Sequence, residues 1–260
     1  MADKKIKYVY IFKMFDIIKI KNILLRRWLL SYGVSKNLKY KYTVYYNKKD
    51  HELSALCSNF GTNKGYILDN NIQKLNPKFC QDYSDFYYDL FLFSKDSVKK
   101  VFELGIGTVD KNKMYNMNFL GDNYQPGGSL RVWKSFFKNA NIYGADIDKN
   151  ILFYEDRIKT YYVDQGNIDS IKLLWQSINE KDFDIIIDDG CHRYEETVVF
   201  FENSIERLRA GGLYIIEDIL PSQRKKFLKY FNSIKLSYKF INFSRPETNP
   251  DNNSLILIMK

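Results

Sequence analysis

The chain has 260 residues, of which 45% are apolar, enough for one sizeable α/β core and too apolar for a disordered protein. Its net charge is +9, yet residues 1–50 hold 13 of the 40 basic residues and only 3 of the 31 acidic ones. The rest is close to neutral, which excludes a general basic groove for nucleic acid over the body of the protein. Three cysteines without metal-type pairing, and no run of about 18 uncharged apolar residues, point to a cytoplasmic protein with no disulfide framework and no transmembrane span.

Residues 1–50 alternate bulky apolar and basic groups, as in IFKMFDIIKIKNILLRRWLLSYG. This predicts one or two amphipathic helices that pack on the body or on a second copy, with peripheral contact to anionic lipid as the sharper alternative. Residues 51–98 form a second, helical region and 99–260 a third. From residue 99 short apolar runs alternate with helical stripes. Strands are expected at Val101–Leu104, Asn141–Ala145, Thr160–Val163, Phe183–Ile187 and Leu213–Ile216. Between them Leu130, Trp133 and Phe137 share one helical face, as do Ile168, Ile171, Trp175 and Ile178. Val198, Phe201, Ile205 and Leu208 form a further stripe, ended by Gly211 as a C-terminal cap. The alternation means a Rossmann-like, doubly wound, mostly parallel sheet. The turn-rich RPETNPDNN between Tyr238–Phe243 and Leu255–Met259 predicts a C-terminal antiparallel hairpin. The long connection 107–128 reads as a binding loop.

The first strand runs into Glu103-Leu-Gly105-Ile-Gly107, where a doubly wound sheet opens its ligand crevice. Position 110 is Asp, so the dinucleotide pattern G-x-G-x-x-G is missing, and there is no G-x-x-x-x-G-K-[ST] phosphate loop. The second strand ends at Asp146, placed for the two hydroxyls of a ribose. The third ends at Asp164-Gln165, placed for an adenine edge. A ligand with adenosine but no pyrophosphate explains both what is present and what is missing, and S-adenosylmethionine is such a ligand.

Strand four ends in Asp188-Asp189 and strand five in Glu217-Asp218, so four carboxylates meet at adjacent strand ends and call for a cation. An all-oxygen carboxylate set favours a hard divalent ion, magnesium rather than zinc. His192 follows Asp189 by three residues and is the one histidine inside a motif, whereas His51 is expected to be structural or exposed. A divalent charge beside a substrate diol, with a histidine to take the proton, is a coherent arrangement for methylating a hydroxyl.

With DDGCH at 188–192, GGLYIIED at 211–218, GGSLRVW at 127–133, GTNKG at 61–65 and YSDFYYDLF at 83–91, residues 58–260 resemble the metal-dependent sugar O-methyltransferases of the mycinamicin and macrocin type, close to the cephalosporin-hydroxylase-like sequences. The resemblance implies Asp189, Glu217 and Asp218 as metal ligands, Asp189 and His192 as catalytic residues with His192 the general base, and Asp188 on the cofactor side. It adds Ser129 to the cofactor contacts and Thr62, Lys64, Tyr83 and Tyr87 to a substrate-binding lid. Cys191 stands where relatives carry Ser, and Asp82 where they often carry His. The implied substrate is a sugar, nucleotide-linked or a surface-polysaccharide precursor, and the implied assembly a homo-oligomer. Other small molecules, a catechol among them, and an RNA docked on the basic N-terminus are the alternative substrates.

Overall fold

The computed structural model describes residues 50–65, 83–113, 115–120, 124–243 and 254–260, and the backbone of 42–44. The amphipathic stretch anticipated at the N-terminus lies outside the described residues, apart from those three. The described strands form one nine-stranded sheet in the order β1-β8-β9-β7-β6-β2-β3-β5-β4. These are β1 (Tyr42–Val44), β2 (Lys100–Leu104), β3 (Asn141–Asp146), β4 (Tyr154–Glu155), β5 (Ile158–Tyr162), β6 (Phe183–Asp188), β7 (Leu208–Ile216), β8 (Ser237–Phe243) and β9 (Ser254–Met259). The central strands β5, β3, β2, β6 and β7 run parallel, while β9 is antiparallel to both β7 and β8. The hairpin therefore closes the sheet as its pattern predicts.

Among the described residues six α-helices accompany the sheet: α1 (Glu52–Phe60), α2 (Tyr83–Phe91), α3 (Gly128–Phe136), α4 (Ile168–Ile178), α5 (Tyr194–Ser204) and α6 (Arg224–Ser233). Every residue of β6 is buried, the signature of a strand covered on both faces. Phe102, Trp175, Phe183 and Phe200 pack together on one face of the sheet, and Tyr87, Phe91, Trp133 and Phe137 form a second aromatic group. Each such ring, taken fully from water, stabilises the fold by roughly 2–3 kcal/mol.

Three expectations are corrected. The stripe Val198–Leu208 is not one helix capped by Gly211. α5 stops at Ser204, a 3₁₀ turn follows at Ile205–Arg207, and Leu208 already pairs with Phe183 in β7, with Gly211 inside the strand. The apolar spacing continues unbroken because Leu208 fills the core from an extended backbone as well as it would from a helix. The third strand starts earlier, at Ile158, because Tyr154–Glu155 turns back onto it as β4. Finally, Tyr42–Val44 pairs in parallel with β8, so the sheet takes in part of the basic first fifty residues.

Candidate active site

At the carboxyl ends of β2, β3, β5, β6 and β7 lies a cavity of about 410 Å³. Among the residues that line it are Gly105, Gly107, Asp146, Asp164, Asp189, His192 and Asp218. Parallel strands bring these residues together because their carboxyl ends all open on the same edge.

The cavity's nucleoside side is built from the turn after β2. Gly105 has φ 83°, and a Cβ there would stand 2.0 Å from the Asp189 carbonyl oxygen, so only glycine lets the two turns pass. Gly107 has φ 86°, with the Tyr124 hydroxyl where its Cβ would be. Asp146, buried at the end of β3, accepts the Ile106 N–H and the Asp148 N–H at 2.9 Å each, one on each oxygen. The connection after Gly107 forms one wall of the cavity. The Met117 N–H donates to the Thr108 carbonyl, and Met117, Phe119 and Tyr124 face the space.

Some residues assigned to the cofactor stand behind the wall rather than on it. Glu103 is fully buried, accepting from the Trp133 indole N–H at 2.8 Å, with Lys64 3.1 Å from its other oxygen. Asp188 is 2% exposed and accepts from Gln165 Nε2 and the Gly190 N–H. Gln165 reaches the cavity, but its amide is committed at both ends, donating to Asp188 and accepting the Cys191 N–H at 2.8 Å. Asp164 keeps one side-chain contact, the Gly166 N–H. Such strand-end carboxylates look alike in a sequence, and burial alone sorts wall from surface. Burial pushes the Asp188 carboxyl up to about 7, against the opposing pull of its hydrogen bonds.

On the opposite side, Asp189, His192 and Asp218 each offer one ligand atom, and the three atoms lie within 4.8 Å of one another. His192 Nε2 is 3.8 Å from Asp218 Oδ2. Both His192 and Asp218 hold left-handed backbone, φ 53°, which turns their side chains into the cavity at a cost in strain. Glu217, expected as a third ligand, lies beside this trio with its two oxygens engaged by Tyr87 and Lys64.

The residues expected in a substrate-binding lid pack against the carboxylates of the site. Tyr83 and Tyr87 are fully buried on α2, and their hydroxyls donate to Asp218 at 2.7 Å and to Glu217. Lys64, 4% exposed, places its ammonium 2.6 Å from Asp189 Oδ2 and 2.5 Å from Glu217 Oε2. Thr62 lines the cavity beside it. Burial works against the Lys64 charge, but Asp189, Glu217 and Glu103 outweigh it and hold the ammonium well above its ordinary pKa. Burial, together with Asp189 and Glu103, drives the Glu217 carboxyl well up despite Lys64. Three carboxylates, Glu103, Asp189 and Glu217, thus meet one lysine, with Asp218 close by on the Tyr83 hydroxyl, and the surplus of negative charge with hard oxygen donors fits a divalent cation. His51, expected to be structural, caps α1 and bonds Asp85 at 2.8 Å.

No protein-family model matches the chain. In sequence it is similar to sugar O-methyltransferases of the type its motifs resemble. It is 34% identical over 140 residues to the 8-demethyl-8-alpha-L-rhamnosyl tetracenomycin-C 2'-O-methyltransferase of Streptomyces olivaceus, 54% of this chain and 34% of that protein. It is 31% identical over 167 residues to the mycinamicin VI 2''-O-methyltransferase of Micromonospora griseorubida, 64% of this chain and 39% of that protein. The chain thus spans little more than a third of the length of these relatives. Among solved structures, MycE methyltransferase from the mycinamycin biosynthetic pathway, in complex with Mg and SAH, matches with a TM-score of 0.53 and 24% identity. That match covers 82% of this chain and 55% of the other, and it shows the fold: a Rossmann-like methyltransferase sheet.

Proposed function

We propose that this chain is an S-adenosylmethionine-dependent, divalent-metal-assisted O-methyltransferase whose acceptor is a hydroxyl of a sugar. One observation carries the reading: a single cavity holds a glycine turn and strand-end carboxylates suited to a nucleoside on one side, and Asp189, His192 and Asp218 within 4.8 Å of one another on the other. When bound, the two groups supply an electrophilic sulfonium methyl and a double positive charge that lowers the pKa of a nearby hydroxyl.

The chain's own residues do the rest. Asp146 and Asp164, at the ends of β3 and β5, present carboxylates to a nucleoside, and Gly105 and Gly107 keep the wall free of side chains. Asp189 and Asp218, with Glu217 beside them, would hold the ion. His192 Nε2, 3.8 Å from Asp218, accepts the acceptor hydroxyl's proton, and the carboxylate steadies the imidazolium that results. A vicinal diol, as in a sugar, suits such a centre because both oxygens can approach one ion. The name of the Streptomyces olivaceus relative, which includes a rhamnosyl group, supports a sugar acceptor. A sugar already attached to a larger natural product and a nucleotide-linked sugar are the two forms to try.

The test is calorimetric titration with S-adenosylhomocysteine and then Mg²⁺, followed by methyl transfer to a panel of a glycosylated polyketide, a nucleotide sugar and a catechol. Cofactor binding, a Mg²⁺ event lost in Asp189→Asn, and transfer to a sugar are expected. His192→Ala should keep both binding events while turnover falls about 100-fold or more. Transfer to the catechol alone would refute the sugar assignment.

A further inference from the structure

Lys64 belongs to none of the acidic strand-end motifs, and its backbone is fixed from both sides. The Thr62 N–H donates to the Cys57 carbonyl of α1 at 3.0 Å, and the Ser84 N–H of α2 donates to the Lys64 carbonyl at 2.9 Å. Gly65 lies so close to α2 that a Cβ there would stand 2.7 Å from Ser84 Oγ. Held this way, the Lys64 ammonium reaches Asp189 Oδ2 at 2.6 Å, Glu217 Oε2 at 2.5 Å and Glu103 Oε1 at 3.1 Å. These carboxylates come from the ends of three adjacent strands, β6, β7 and β2. Tyr83 and Tyr87 supply donors to the same cluster without charge, so the positive charge is the lysine's contribution.

We infer that Lys64 is a built-in counter-cation, a positioning residue that holds Asp189 and Glu217 in place and competes with a divalent ion for them, thereby setting the ion's affinity. The inference rests on the metal-assisted reading above. Two effects act in the same direction. A carboxylate oxygen that accepts an ammonium proton at 2.5–2.6 Å has less electron density to offer an ion. A single positive charge a few ångströms from a double one also repels it, by an amount worth more than about tenfold in affinity even where solvent screening is substantial. Without Lys64 the ion binds more tightly. With both Lys64 and the ion absent, however, Glu103 and Glu217, 0% and 2% exposed, are left buried with no cation beside them.

Wild type, Lys64→Met and Lys64→Arg, each as the full chain, are titrated with Mg²⁺ by calorimetry and melted in EDTA or in excess Mg²⁺. Lys64→Met is expected to bind Mg²⁺ about tenfold more tightly. It should also melt lower in EDTA and recover more on Mg²⁺ addition than wild type does, while Lys64→Arg, which keeps the positive charge, stays nearer to wild-type affinity than Lys64→Met does. A Lys64→Met affinity equal to or below wild type overturns the inference and leaves the metal reading standing. No Mg²⁺ event in wild type or in either variant overturns the metal reading and the inference with it. Should Lys64→Met fail to fold in both conditions, the pair Lys64→Met/Glu103→Gln removes one charge of each sign. Tighter Mg²⁺ binding by that pair supports the inference, and unchanged or weaker binding overturns it.

Discussion

His192 and Asp218 hold left-handed backbone at φ 53°, a conformation that costs an L-residue on the order of 1 kcal/mol or more. The His192 carbonyl accepts from Gln223 Nε2 at 3.0 Å, which helps hold the turn in that state. Replacement of Gln223 by Ala should lower stability by about 1 kcal/mol, read by urea unfolding. Gly105 admits no such compromise. Gly105→Ala forces a Cβ against the Asp189 backbone and should cost about 3 kcal/mol or more, so an unfolding midpoint equal to wild type would refute the close packing of the two turns. Asp188 predicts a pH dependence. Its buried carboxyl titrates near 7 instead of near 4, so the protonated form contributes stability that is complete below pH 4 and is lost as pH rises through about 7. Urea midpoints measured from pH 4 to 8 should fall more steeply in wild type than in Asp188→Asn. The sequence identifies Gly105, Asp188, His192 and Asp218 as candidates and misses Gln223, and it shows neither their φ angles nor which carboxylates stand behind the wall.

α2 shows what an element contributes that its residues alone do not reveal. Its sequence, YSDFYYDLF, lies in the region 51–98 read as helical and is one of the motifs that carry the resemblance. The structure buries Tyr83 and Tyr87 completely and turns their hydroxyls to Asp218 and Glu217, residues 135 and 130 positions away. Tyr87→Phe keeps the ring packed against Phe91 and Trp133 but removes one donor to Glu217. It should cost about 1–3 kcal/mol, measured by denaturant unfolding with Mg²⁺ absent, and an unchanged midpoint would mean that the hydroxyl contributes nothing. Periodicity cannot report what lies opposite, since that contact depends on the sheet having formed.

In the molecule as a whole the contacts divide at 36/37, with residues 37–260 forming one compact unit. Removal of residues 1–36 should leave a chain that folds, melts cooperatively and binds S-adenosylhomocysteine. Removal of residues 1–50 also strips β1 from its pairing with β8 and exposes that edge, so its melting temperature should be the lower of the two. If the basic N-terminus docks RNA, removal of residues 1–50 should abolish a steep salt dependence of RNA binding. No helix among the described residues is long and apolar enough to cross a membrane.

The sequence by itself determined the fold class, the order of the central strands along the chain, the C-terminal hairpin and the residues at the strand ends. It could do so because a strand covered on both faces must be apolar, and a turn that meets another backbone must be glycine. Only the tertiary structure decided that Leu208 belongs to β7 and that Tyr42–Val44 extends the sheet. Only the tertiary structure also brought Lys64, Tyr83 and Tyr87 against the carboxylates. Apart from the pairing of Leu208 with Phe183, those outcomes turn on contacts between residues more than a hundred positions apart. Local pattern carries the propensity of each segment, whereas burial and charge pairing exist only once the segments are packed.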